Sequence, residues 1–113
     1  MAEVSKQGCM LSIGSEIIQF DVPVAQYIES DEIIAIRLKN TGEEFQYSLR
    51  NVLGINMDGR IRWKISKKPD HRPRSYTNIY TKDQKDLWAY NFSGNLYQVN
   101  PKTGKILSEE FVK

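Results

Sequence analysis

The chain has 113 residues, one Cys, one His, 16 Lys and Arg and 14 Asp and Glu, for a formal charge of +2. That length supports one domain, and 40% hydrophobic with 27% charged residues is an ordinary globular composition. No apolar run approaches the roughly 20 residues a membrane helix needs. A lone Cys makes no disulfide framework, and one Cys with one His cannot build a zinc site, so no metal or cofactor is expected.

At the N-terminus, Glu3, Ser5, Lys6 and Gln7 interrupt any secretory leader, and no apolar stretch precedes Gly8-Cys9. The expected compartment is the cytoplasm, with Cys9 a buried thiol in a first strand. Glu16 to Val22 alternates, with Ile18, Phe20 and Val22 on one face, and Pro23 ends it. Glu32 to Lys39 alternates again, with Ile34, Ile36 and Leu38 opposite Ile33, Ala35, Arg37 and Lys39. Asn40 to Glu43 reads as a turn and Phe45 to Leu49 as a short strand.

Val52 to Met57 and Arg60 to Ile65 flank Asp58-Gly59, a strong hairpin signal for a type I′ turn with positive φ at both central residues. In the second strand, Ile61, Trp63 and Ile65 share one face and Arg60, Arg62 and Lys64 the other. Ser66 to Ser75 holds two prolines among polar and charged residues and reads as a loop. Strands resume over Tyr76 to Thr81, Leu87 to Phe92, Leu96 to Asn100 and Ile106 to Val112, separated by the polar turn Lys82 to Asp86, by Ser93-Gly94-Asn95, and by Asn100 to Lys105. Trp88, Tyr90 and Phe92 share a face, which at period two is ordinarily sheet core, the rival reading being an exposed aromatic anchor for a partner.

Two hairpins align without gaps at an offset of 35: VLGINMDGRIRWKI over LWAYNFSGNLYQVN, with Asn56 over Asn91 and Gly59 over Gly94. Either the shared turn residues alone explain this, or it is a repeat of the kind that builds propeller blades, in a chain too short to close a propeller. The fold expected is all-β: an antiparallel sandwich or strongly twisted meander of about seven to nine strands, in one domain over 1–113.

Chemistry is sparse. His71, the single His, lies between Pro69 and Pro73 in the loop, with Asp70 a weak partner for acid–base work. Gly104-Lys105 ends no phosphate-binding loop, because Ile106 follows and Val99 stands where the first Gly belongs. Asn91-Phe92-Ser93 matches a glycosylation sequon but lacks a secretion signal. No catalytic residue is assigned, and the expected protein is not an enzyme. Charge is more informative: residues 1–50 balance to −4 and residues 51–113 to +6. The positive excess sits at Arg60, Arg62, Lys64, Lys67, Lys68, Arg72 and Arg74, beside His71. The patch could meet an acidic protein, bind RNA or DNA with Tyr76 and Tyr80 stacking on bases, or only blunt a strand edge.

The run NVLGINMDGRIRWKI, then LWAYNFSGNLYQVNPKTGKI, resembles small single-domain bacterial β proteins whose C-terminal part is similar to a fragment of a quinoprotein-type propeller. Their pattern is Asp-x-x-Gly or Asn-x-x-Gly, Ile-x-Trp, a hydrophobic-Tyr-Asn-x-x-Gly hairpin and an Asp-x-x-Thr-Gly-Lys-Ile turn, where this chain has Asn100 in place of Asp. The similarity covers residues 51–107, and proteins of this type resemble immunity proteins of contact-dependent growth inhibition systems. The resemblance implies a one-to-one complex with a cognate toxin domain, a nuclease, blocked at its active site. It carries over no contact residues. Two surfaces offer themselves: the basic set with His71, and the acidic residues Glu29, Asp31, Glu32, Glu43 and Glu44, which would mimic a nuclease's substrate. The alternative is a nucleic-acid-binding module using the basic strand and loop at 60–74, and a homodimer through a strand edge stays open.

Overall fold

The structure, a computed structural model, describes residues 3–39, 50–66, 75–91 and 94–111. Among them are eleven strands and no helix: β1 (Val4–Gln7), β2 (Met10–Ile13), β3 (Glu16–Gln19), β4 (Val24–Ser30), β5 (Ile33–Leu38), β6 (Val52–Ile55), β7 (Ile61–Lys64), β8 (Tyr76–Tyr80), β9 (Leu87–Asn91), β10 (Asn95–Val99) and β11 (Ile106–Phe111). They form three antiparallel meanders in strict chain order, β1-β2-β3, β4-β5-β6-β7 and β8-β9-β10-β11. The all-β expectation is met, with more strands than the seven to nine foreseen.

The sheets stack face to face, and the middle one is covered on both sides. One core joins Leu11, Ile13, Phe20 and Val22 of the first layer to Ile34, Ile36, Leu38, Leu53 and Ile55 of the second. The other joins Ile33, Ala35, Val52, Trp63 and Ile65 to Tyr76, Ile79, Leu87, Ala89, Tyr97 and Val99 of the third. The alternation in β5 is as expected, but both of its faces are apolar because both are buried. In β3, Ile18 packs inward while Ile17 is 67% exposed, again as the alternation implies.

Several expectations need correction. Cys9 is half-buried in the turn between β1 and β2, not inside a strand. The sequence reading places no strand between Pro23 and Glu32, whereas β4 lies there, with Ala25 as an extra residue: Val24 pairs Leu38 and Gln26 pairs Arg37. The Asp58-Gly59 hairpin forms, but only Gly59 has positive φ, at 91°, and its N–H donates to Asn56 O. This is a longer loop closed by a left-handed Gly, not a type I′ turn. Gly94 also has φ 91°, and its N–H donates to Asn91 O. The two aligned hairpins nevertheless hold different places, since β6 and β7 are third and fourth in their sheet while β9 and β10 are second and third in theirs. Trp88 and Tyr90 lie on the face of β9 turned away from the stack, while Leu87 and Ala89 enter the core. Trp88 is instead covered by Tyr80, stacked at 6.4 Å between centroids, and by Lys82 Nζ, 4.1 Å from its ring centroid.

Two buried side chains tie the layers together. Asn51 donates through Nδ2 to Leu38 O at 2.8 Å and Tyr76 O at 3.0 Å, and accepts from Tyr76 N at 2.8 Å, joining the second sheet to the first strand of the third. Trp63 donates through Nε1 to Pro101 O at 2.7 Å, with its indole wedged between Gly54 on the neighbouring strand and Gly104 in the β10–β11 loop. A Cβ at either glycine would collide with the ring, so the close approach requires Gly at both.

Candidate functional site

The turn joining β4 to β5 has two residues, Asp31 and Glu32, between the paired Ser30 and Ile33. Both have positive φ, 49° and 67°, the backbone of a type I′ turn that Asn and Gly occupy far more readily. Across from it, the loop after β8 places Gln84 at φ 69°. These three are the only non-glycine residues with positive φ among the described residues, and they meet: Asp31 N donates to Gln84 O at 2.9 Å. Ser30, fully buried, donates its hydroxyl to Asp86 O beside them.

Between turn and loop lies a cleft of about 280 Å³ lined by Glu29, Asp31, Glu32, Asp83, Gln84 and Lys85. Four carboxylates face one ammonium, and Lys102 reaches Asp31 Oδ2 at 3.7 Å from the β10–β11 loop. The loop is held by Asp86. Its Oδ1 accepts from Thr81 Oγ1 at 2.7 Å, Lys82 N at 2.9 Å and Asp83 N at 3.1 Å, and its Oδ2 from Trp88 Nε1 at 2.6 Å. Desolvation by burial raises the Asp86 pKa, but the hydrogen bonds outweigh it and hold the carboxyl well below the usual range. Asp83 Oδ1 in turn accepts from Lys85 N at 2.9 Å. The loop is thus pinned as one wall of the cleft, with a left-handed Gln84, and the negative excess comes from Glu29, Asp31 and Glu32 on the opposite wall.

The basic strand is arranged differently from the expectation. Arg62 is an extra residue in β7: Gly54 pairs Trp63, while Ile55 pairs Ile61. Lys64, opposite Leu53, and Ile61 thus face the first sheet, while Trp63 faces the third, so Arg60, Arg62 and Lys64 do not form one face. Ile61 is accordingly 45% exposed, not in the core with Trp63 and Ile65. Arg60 is highly exposed and lies 3.9 Å from Asp58. Lys67, Lys68, His71, Arg72, Arg74, Glu43 and Glu44 lie outside the described residues, as do Phe92, the turn at 40–43 and the strand at 45–49. Of the acidic set, Glu29, Asp31 and Glu32 come together in the cleft. Sequence reasoning missed Asp83, Gln84, Lys85 and Lys102, because nothing in a polar turn announces a partner more than fifty residues away. The sequon Asn91 is fully buried.

The described residues contain no cluster of His, Cys, Asp and Glu able to hold a metal, and no helix long and apolar enough to cross a membrane. Residues 1–111 match the family described as a domain of unknown function, DUF7957. The chain belongs to that family. Among curated proteins none matches. Among solved structures, the crystal structure of the computationally designed Ika8 protein, in space group P63, is similar with a TM-score of 0.66 at 11% identity. The match takes in 97% of this chain and 33% of that one, so this member of DUF7957 spans about a third of the designed chain's length. At that identity the likeness concerns the fold alone.

Proposed function

We propose that this chain is an immunity protein, which binds a cognate toxin domain one-to-one and neutralises it by covering a cationic active site of the kind a nuclease carries. The observation that supports the reading is the cleft at Asp31 and Glu32. A type I′ turn built of two acidic residues is held in a backbone conformation that costs about 1–2 kcal/mol per residue. Local stability alone would favour Asn-Gly there. Strain retained together with four carboxylates around a cleft large enough for a Lys or Arg side chain suits an electrostatic docking surface. Such a complex buries about 1,600 Å² in total, and the rigid sheets reorganise little on binding. The protein needs no catalytic group for this role, and cytoplasmic residence is where an incoming nuclease would be met.

The nucleic-acid reading draws less support, because the bulge at Arg62 splits the strand cations between faces. The test is to co-express the toxin domain encoded beside this chain and to measure growth and complex formation. Rescue is expected with the native chain and with the Arg60→Glu/Arg62→Glu variant, and loss of rescue with Asp31→Lys/Glu32→Lys. A harmless neighbour that forms no complex overturns the reading. Full rescue by the acidic-turn variant removes the cleft from it.

A further inference from the structure

We propose that Arg37, at the seam where β4, β5 and β8 meet, is a binding site for a carboxylate. Arg37 lies on the face of β5 that looks toward the third sheet, paired with Gln26 on one side and Val52 on the other. It is half-buried. Its Nε donates to Gln26 Oε1 at 2.6 Å, a neutral acceptor. That amide is already saturated: Oε1 also accepts Ile79 N at 3.1 Å, while Nε2 donates to Asn78 Oδ1 at 2.8 Å and Ile79 O at 3.4 Å. A guanidinium carries five donors, and here one has an acceptor among the described residues. No Asp or Glu of those residues forms an ion pair with it. Burial pushes its pKa down.

The backbone around it is irregular on two strands. β4 and β8 each carry a bulge immediately before the residues concerned, at Ala25 and Thr77, and it is these bulges that set Gln26 and Asn78 against each other. Paired bulges on facing edge strands re-aim side chains and mark functional seams more often than plain ladder does. Asn78 is exposed, so the seam meets solvent. The ligand class follows from charge and shape. A guanidinium fork matches a carboxylate with two parallel hydrogen bonds, and one cation flanked by neutral amides balances a monoanion, whereas a phosphate dianion calls for a second cation. The site is remote in chemistry from the acidic cleft and does not rest on the immunity reading.

The test uses the whole protein with its arginines labelled with ¹⁵N, titrated at constant ionic strength with sodium acetate, sodium chloride or inorganic phosphate. The expected result is a saturable shift of the Arg37 Nε–Hε resonance with acetate and none with chloride. Arg37→Lys, which keeps the charge and loses the fork, is followed through the Gln26 side-chain amide of uniformly ¹⁵N-labelled protein and should weaken acetate binding by about tenfold or more. Asn78→Asp, exposed and able to keep the acceptor that Gln26 Nε2 uses, sets a competing carboxylate at the seam and should abolish the acetate shift even if the lysine variant folds poorly. No saturation with acetate, or an equal response to chloride, overturns the proposal. Phosphate binding more tightly than acetate overturns the ligand class, and an unchanged acetate response in Asn78→Asp overturns the location.

Discussion

At the scale of single residues, two positions decide more than their chemistry suggests. Gly54 and Gly104 clasp the Trp63 indole, one from its own sheet and one from the β10–β11 loop. Gly54→Ala would force the ring or the strand aside, at a cost of about 1–3 kcal/mol from overpacking. The midpoint of urea denaturation should fall accordingly, with the Trp63 Nε1–H signal, now bonded to Pro101 O, moving in the same variant. Asp86 sets a pH dependence. Its folded pKa lies below its unfolded value of about 3.9, so its contribution is complete above about pH 4 and is lost as pH falls through the folded value. The side chain is partly solvated, which trims the gain to about 1–2 kcal/mol. Urea midpoints compared at about pH 7 and pH 3 should show Asp86→Asn destabilised at both, with the gap to the native chain narrower in acid because the loss has only begun at pH 3.

At the scale of elements, the β4–β5 turn opposes stability to the role proposed for it. Glu32→Gly relieves a left-handed glutamate, offset in part by the unfolded chain's added freedom, and should raise stability by up to about 1 kcal/mol. The same variant should bind a cationic toxin less tightly, and calorimetric melting paired with toxin titration reads both changes in one preparation. This scale is also where sequence and structure agree and part. β5, β6, β9 and β10 were legible because alternation and turn residues agreed. β4 was not, since one extra residue at Ala25 breaks its period, and the bulge at Arg62 scattered a basic face that strict alternation had assembled. Of the candidate cleft, Glu29, Asp31 and Glu32 could be singled out from charge alone. Their partners Asp83, Gln84 and Lys85 could not, because the contact is made by packing between sheets and not by any local pattern.

For the whole molecule, the central sheet is the common wall of two cores, and β5 contributes to both: Ile34, Ile36 and Leu38 to one, Ile33 and Ala35 to the other. Ile36→Ala should therefore cost about 2–5 kcal/mol and lower the stability of all three layers in one transition, seen as coincident loss of tryptophan fluorescence and far-ultraviolet dichroism. Separate transitions for the outer layers would mean that the stack is less cooperative than its shared strand implies. The same meander order has a kinetic side. Among the described residues every strand pairs only with its neighbours in the chain, and all the connections within a sheet except that from Leu38 to Val52 are short. Loop closure over short spans is entropically cheap, and the long-range step left over is docking of preformed ribbons. An all-β chain of this kind is expected to fold faster than sandwiches whose sheets interleave distant strands, and to leave a nascent chain exposing unpaired edges only briefly during synthesis.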